Sequence, residues 1–262
     1  NIFLGTLPFD DSDDVKESVK LKTLEILNKM FGITERDFAR AEIEFVPALK
    51  ARDVGFDRSL VAGYGHDDRV CAYPAIIAEI EAKAPKHTTL TILADKEEIG
   101  SEGNTGLDSH YVYDYIEYLS QCFNADVKEV CEKSACLSSD VNAAFDPTFP
   151  DVYEPNNSAY LNKGCVLTKY TGARGKSSSS DASAEFMNKV ISIMDENKVH
   201  WQIGELGAVD VGGGGTIAKF VAMMNIDVVD LGVPVISMHS PYEVISKLDL
   251  YNTYLAFKAF YL

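Results

Sequence analysis

The chain has 262 residues, of which 46% are hydrophobic, enough for one sizeable core and a small additional domain. Its formal net charge of −16 argues against a surface that binds nucleic acid or an anionic membrane. The sequence also has no apolar run near the roughly 18 residues that a membrane span needs. We therefore predict that neither a nucleic acid nor a membrane is a partner.

The cysteines and the beginning of the chain favour a cytoplasmic protein. The five cysteines include no Cys-x-x-Cys pair, and their odd number favours reduced, mostly buried thiols. No signal-peptide pattern precedes the strand-like residues 2–4. Because the chain begins inside such a segment, we expect it to start within a domain.

Residues 1–50 predict a strand, a helix and a second strand. Residues 1–9 are strand-like, and Gly32 is a plausible end for the helix that follows. The apolar side chains of that helix recur with helical spacing at Val15, Val19, Leu24, Leu27 and Phe31. Residues 42–47 alternate between polar and apolar, which predicts a strand with one solvated face. We assign residues 1–50 to a small appended domain.

From residue 51 onwards, predicted strands and helices alternate along the chain. The predicted strands and short apolar stretches are 88–94, 135–140, 166–170, 199–203, 227–231 and 234–238. The predicted helices are 70–83, 109–123, 182–197, 216–224 and 242–261, with 177–181 as a capped entry to the third of them. This alternation predicts an α/β domain over residues 51–262, with a three-layer, mostly parallel sheet flanked by helices.

A segment at 91–104 delivers two adjacent carboxylates, Glu97 and Glu98, from an apolar run into a glycine-rich turn. Open α/β sheets place their chemistry at such strand ends, although adjacent glutamates are more often a solvated surface pair. Other carboxylates and an imidazole also follow apolar runs, at Asp67, Asp68, Asp140 and His239. Such a set can hold two zinc-like ions and leave one glutamate as a base, so the sequence predicts a metallohydrolase.

Each of these residues has a structural alternative when it is considered alone. Asp67 or Asp68 could cap the helix that begins near residue 70. Asp140 could form an Asx turn, and a lone histidine such as His239 is more often structural than a metal ligand.

Two further segments could contact a substrate. Residues 210–216, Asp-Val-Gly-Gly-Gly-Gly-Thr, could bind an anion through exposed amides at a helix start, or could be only a flexible turn. They do not fit the phosphate-loop pattern, which argues against nucleotide binding. Arg174 and Lys176 lie in a glycine-rich loop and are either solvated charges or ligands of a substrate carboxylate.

In this order the motifs resemble those of the aspartyl aminopeptidases, a family of cytosolic, dinuclear zinc exopeptidases. The segments that carry the resemblance are Gly-His-Asp-Asp-Arg (65–69), Asp-Lys-Glu-Glu-Ile-Gly-Ser (95–101), Ser-Ser-Asp (138–140), Gly-Gly-Gly-Thr-Ile (213–217) and Asp-Leu-Gly-Val-Pro-Val-Ile-Ser-Met-His-Ser (230–240). The resemblance implies that Asp67 bridges two zinc ions, with Glu98 and His239 completing one site. Asp140 then belongs to the other site, and Glu97 is the general base. Co²⁺ or Mn²⁺ could replace zinc.

The resemblance further implies that the protein removes N-terminal Asp or Glu residues from peptides. Arg174 and Lys176, helped by the amides of Gly213 and Gly214, are the candidate contacts for the acidic side chain. Residues 1–50 would be the remainder of an inserted oligomerisation domain, and the protein a homo-oligomer, a dodecamer built from dimers. An aminopeptidase of other specificity and a catalytically inactive assembly subunit are the alternatives.

One departure from the family pattern bears on the extent of the chain. The family has a His-x-Asp motif before its inserted domain, and this motif supplies the imidazole of the second metal site. No such motif lies within residues 1–66 here. We therefore expect this chain to be the C-terminal portion of a longer protein.

Overall fold

The structure is a computed structural model that describes residues 4–10, 15–174, 177–208 and 210–262. The chain divides into two compact units, Asn1–Val46 and Pro47–Leu262. The candidate substrate contact Lys176 lies outside the described residues. No helix within the described ranges is long and apolar enough to cross a membrane.

The first unit contains helices α1 (Ser18–Phe31) and α2 (Glu35–Phe38). Helix α1 ends at Gly32 as predicted: a φ of 71° puts this residue in the left-handed conformation, and its N–H donates to the Asn28 carbonyl at 2.8 Å. The predicted strands at 1–9 and 42–47 are wrong for the described residues, because 4–8 and 41–50 are irregular and have no strand to pair with. The assignment of this unit to an oligomerisation domain stays a prediction.

The second unit contains the other helices and all strands of the described residues. Its strands are β1 (Arg52–Val54), β2 (Leu60–Gly63), β3 (Ala135–Ser138), β4 (Asn142–Ala143), β5 (Cys165–Thr168), β6 (Tyr170–Ala173), β7 (Ser177–Asp181), β8 (Trp201–Ile203), β9 (Asp227–Gly232), β10 (Pro234–Ile236) and β11 (Glu243–Ser246). Its helices are α3 (His66–Glu81), α4 (Tyr111–Cys122), α5 (Val127–Lys133), α6 (Ala184–Glu196), α7 (Ala218–Ala222) and α8 (Lys247–Tyr261). Two short 3₁₀ helices occupy Glu97–Ile99 and Pro150–Val152.

The strands form two larger sheets and a two-stranded ribbon. The strand orders are β1-β2-β11-β10-β4, β3-β9-β5-β8 and β6-β7. Five of the described pairings are antiparallel and three are parallel. The expectation of a mostly parallel sheet is therefore not confirmed, because short connections such as residues 237–242 return the chain as antiparallel neighbours. The fold is a mixed α/β structure in which helices flank the sheets.

The core of the second unit surrounds the two middle strands of the four-stranded sheet. Strand β5 is buried along its whole length, and β9 is buried after its first residue. Helices α6 and α8 pack here with apolar side chains that include Phe186, Val190, Met194 and Phe257. The candidate ligands Asp67, Asp140 and His239 follow other strands, β2, β3 and β10.

Three predicted elements of the second unit are corrected by the structure. Residues 88–94 are irregular rather than a strand, and the side chain of Leu93 is 60% exposed. Residues 177–181 form β7, whereas α6 is capped by Ser183, whose Oγ accepts from the Phe186 N–H at 3.1 Å. The predicted last helix begins at Lys247, because Glu243–Ser246 pairs with strands on both sides.

Candidate metal centre

The loops after β2 and β10 bring two candidate ligands together. His239 follows β10, and its Nε2 lies 2.8 Å from Oδ2 of Asp67, in the first turn of α3. The same nitrogen lies 3.3 Å from Oε1 of Glu98, in the first 3₁₀ turn. One potential ligand atom from each residue lies within 4.8 Å of the others. We call this trio, Asp67, Glu98 and His239, the first cluster.

The first cluster is buried on one side and open on the other. The Asp67 side chain is 7% exposed, whereas those of Glu98 and His239 are 62% and 61% exposed. One carboxylate thus anchors the cluster in the protein, and the other two groups border solvent.

A second cluster consists of Asp67, Asp68 and Asp140, which also offer ligand atoms within 4.8 Å of one another. Asp140 follows β3 and accepts a hydrogen bond from the N–H of Val141 at 2.7 Å. Oδ1 of Asp68 is buried and has no hydrogen-bond partner among the described residues. Of the two adjacent carboxylates, only Asp67 was predicted from the sequence to be a metal ligand. The position of Asp68, next to Asp67 and shortly after two glycines, was the signal that could have added it.

Burial and mutual repulsion raise the pKa values of these carboxyl groups. Burial, with a contribution from Glu98, raises the pKa of Asp67 to about 6. Burial raises the pKa of Asp68 to about 7 and that of Asp140 well above its ordinary value. Burial and the charges of Glu98 and Asp67 also raise the pKa of Glu97. A cation bound among these acids would favour the ionised form of each of them.

The residues present fit zinc. The first cluster combines two carboxylates and an imidazole, a mixed donor set of the kind that catalytic zinc uses. The orphaned Asp68 oxygen and the raised carboxyl pKa values show that the second cluster also suits a cation. Within the described residues the second cluster contains only carboxylates. Its oxygen donors are harder Lewis bases than the mixed nitrogen and oxygen donors of the first cluster.

His66 is adjacent to the clusters in sequence but is used differently. Its Nε2 lies 3.2 Å from the carbonyl oxygen of Val61, within hydrogen-bond distance. Burial lowers the pKa of its ring. This nitrogen therefore contributes to the local backbone structure of the β2–α3 connection.

Of the candidate substrate-binding residues, Arg174 lies at the end of the ribbon β6-β7, next to the glycine run at residues 212–215. The Arg174 N–H donates to the carbonyl of Gly212 at 2.9 Å, and Gly213 has a φ of 102° that favours glycine. Helix α7 begins only at Ala218, so the glycine run does not itself open the helix. A cavity of about 10 Å³ is lined by Thr216 and Asp140 among others, so the end of the run neighbours the second cluster.

The chain is similar to known zinc metalloproteases over nearly its whole length. A family model described as aminopeptidase I zinc metalloprotease (M18) matches residues 3–261. A probable M18 family aminopeptidase 1 of Clostridium acetobutylicum is 48% identical over 264 residues, which are 99% of this chain and 57% of the relative. The crystal structure of an M18 aminopeptidase of Thermotoga maritima matches with a TM-score of 0.91 at 46% identity, over 98% of this chain and 57% of that one.

A more distant match shows the same fold. It is the structure of the S. cerevisiae mApe1 dodecamer, with a TM-score of 0.72 at 22% identity, over 92% of this chain and 54% of that one. The chain thus spans a little more than half the length of the proteins that it matches. Because the family model covers nearly every residue, the chain belongs to the M18 family of aminopeptidase I zinc metalloproteases.

Proposed function

We propose that the protein is a zinc-dependent aminopeptidase that removes N-terminal acidic residues from peptides. The observation that carries the proposal is the first cluster, in which Asp67, Glu98 and His239 offer a zinc-type donor set beside Glu97. Asp67, Glu98 and His239 would hold one ion. Asp67, Asp68 and Asp140 would hold a second ion, for which Co²⁺ or Mn²⁺ is the alternative.

When bound, zinc supplies Lewis acidity toward the scissile carbonyl and lowers the pKa of a water molecule. Glu97 then acts as the general base, taking the proton of the attacking water at its carboxylate and returning it to the leaving amine. Two properties of Glu97 support this role. It lies next to the first cluster in a half-buried position, and the charges of Glu98 and Asp67 act on its carboxyl group.

The base assignment predicts that Glu97→Gln loses activity but keeps its metal. Removal of a general base typically costs about 10²- to 10⁴-fold in rate. Glu98→Gln is the comparison variant for a proposed ligand, and it should lower both the zinc content and the activity. Glu102→Gln, in the same exposed loop, is the negative control and should change neither. Metal analysis together with turnover separates these variants. Loss of zinc in Glu97→Gln would contradict its role as a base.

We propose that residues of the ribbon β6-β7 and the glycine run select substrates with an acidic N-terminal residue. A substrate carboxylate that approaches a chain of net charge −16 needs a local cation, and Arg174 is exposed beside the run. Lys176, with the amides of Gly213 and Gly214, completes the proposed set. A charge-assisted hydrogen bond contributes roughly 1.5–3 kcal/mol, so loss of the contact should cost about 10- to 150-fold.

A panel of fluorogenic Asp, Glu, Leu and Lys substrates tests this specificity. Arg174→Ala and Lys176→Ala should reduce turnover of the Asp substrate far more than that of the Leu substrate. Equal losses on all substrates, or a wild-type preference for Leu, would refute acidic specificity while leaving the aminopeptidase intact. The panel is run on the intact, full-length protein, and a zinc-loaded protein that cleaves none of the substrates would instead be an inactive assembly subunit.

We also propose a cytoplasmic homo-oligomer, a dodecamer built from dimers. In the first unit the side chains of Met30 and Phe31 are mostly exposed, and Leu4 and Leu24 line an apolar groove of about 410 Å³. Faces of this kind are often covered by another protein surface. Light scattering should give the mass of an oligomer, and a monomer at working concentration would contradict it.

A further inference from the structure

A buried carboxylate lies directly behind the first cluster. Glu243, the first residue of β11, is only 2% exposed. Its Oε1 accepts a hydrogen bond from the backbone N–H of His239 at 2.8 Å, and its Oε2 accepts one from the backbone N–H of Asp67 at 3.1 Å. One side chain therefore joins two candidate ligands that are far apart in the sequence.

The sheet fixes the position of Glu243 itself. Glu243 pairs with Gly63 of β2, and the residues that follow it pair with both β2 and β10. Since β2 leads to Asp67 and β10 leads to His239, the carboxylate spans the gap between the two strand ends that carry the ligands.

The two amides that it holds belong to backbone that departs from regular structure. His239 has a φ of 64°, a left-handed conformation that is uncommon for a residue with a side chain. Asp67 has a φ of −76° and a ψ of 110°, which are not helical values, at the start of α3. Residues in such conformations persist where their surroundings hold them, and the Glu243 carboxylate supplies a hydrogen bond to each.

We propose that Glu243 is a positioning residue of the metal centre, which holds the backbone of Asp67 and His239 at the separation that their side chains need to share one ion. A carboxylate can do this because both of its oxygens accept, whereas an amide side chain offers one acceptor and one donor. The inference rests on the proposed function only in taking Asp67 and His239 as ligands. It is independent of the substrate and of the second cluster.

Glu243→Gln is the informative change. The amide nitrogen of the new side chain would face a backbone N–H. One of the two hydrogen bonds is then lost, and a contact between two donors replaces it. Loss of groups that orient metal ligands typically lowers metal affinity by about 10- to 100-fold. We expect a loss of that size in zinc affinity, and an altered visible absorption spectrum when Co²⁺ replaces zinc.

Asp249 provides a matched control. It is fully buried, and its two oxygens likewise accept from backbone amides, those of Gly164 at 2.7 Å and Asn162 at 2.8 Å. Neither of these residues belongs to either cluster. Asp249→Asn should therefore lower the thermal stability of the metal-free protein as Glu243→Gln does, but leave zinc affinity and the Co²⁺ spectrum at wild-type values.

The experiment measures zinc affinity by competition with a chromogenic chelator in the wild type and both variants, with thermal unfolding of each metal-free protein. Weaker zinc binding in Glu243→Gln alone supports the inference. Unchanged affinity in that variant, or equal losses in both, overturns it, and a wild type that binds no zinc overturns the proposed metal centre as well. If Glu243→Gln does not fold, Glu243→Asp keeps the charge but shortens the reach, and wild-type affinity in that variant also overturns the inference.

Discussion

Zinc binding to the acidic clusters should release more protons in weakly acidic solution than at pH 8. Burial gives Asp67 a pKa of about 6 and Asp68 a pKa of about 7 in the metal-free protein. A ligand must be deprotonated to bind, so the protons that these groups hold are expelled by the metal. At pH 6 this is about half a proton from Asp67 and about 0.9 from Asp68; at pH 8 the two together hold about 0.1. Asp140, whose pKa is also raised, can only add to this number.

Isothermal titration calorimetry in buffers of different ionisation enthalpy counts the released protons. The wild type should release at least about 1.4 protons per chain at pH 6 when both clusters bind zinc. Asp68→Asn should remove the larger share. Asp230→Asn is the control, because burial raises the pKa of Asp230 to about 6 as well, yet its side chain belongs to neither cluster.

A number of released protons that does not change with pH would contradict the raised pKa values of these carboxyl groups. The same number of protons at pH 6 and pH 8, or fewer than about 0.3 at pH 6, would mean that these carboxyl groups are already ionised without metal. Burial would then not dominate their pKa values. A reduced count in Asp230→Asn would show that the protons come from outside the clusters.

Three further predictions concern stability, measured by urea unfolding of the metal-free protein. Burial raises the folded-state pKa of Asp230 to about 6, so protonation of this carboxyl group stabilises the folded state. The stabilisation is complete below about pH 4 and is lost as the pH rises through about 6. In the wild type this loss should lower the free energy of unfolding by about 2–3 kcal/mol, and in Asp230→Asn it should be absent. Leu231→Ala deletes a fully buried side chain in β9 and should cost about 2–5 kcal/mol, whereas Leu93→Ala, at an exposed position, should cost less than about 0.5 kcal/mol. Asp126 caps α5 by accepting from two backbone amides, so Asp126→Ala should cost about 1 kcal/mol and Asp126→Asn little; equal costs would exclude capping as the cause.

The sequence by itself determined the features that depend on local pattern. Helices α4 and α6 follow from apolar residues at helical spacing, and α1 ends at the glycine expected to end it, because these signals act within a few residues. The order of short acidic and glycine-rich motifs was also sufficient to identify the family. Glu98 and His239 could be named as candidates because each follows an apolar run.

Only the tertiary structure decided which of these residues meet and what holds them. Residues 88–94 are apolar enough for a strand, but strand formation needs a partner, and they have none among the described residues. Glu243 lies in a segment that sequence pattern assigned to a helix; pairing with Gly63, far away in the chain, makes it the start of β11 and puts its carboxylate behind Asp67 and His239. Hydrogen bonding between distant segments leaves no periodicity in either one, so the contact that unites the site could not be predicted from the residues around it.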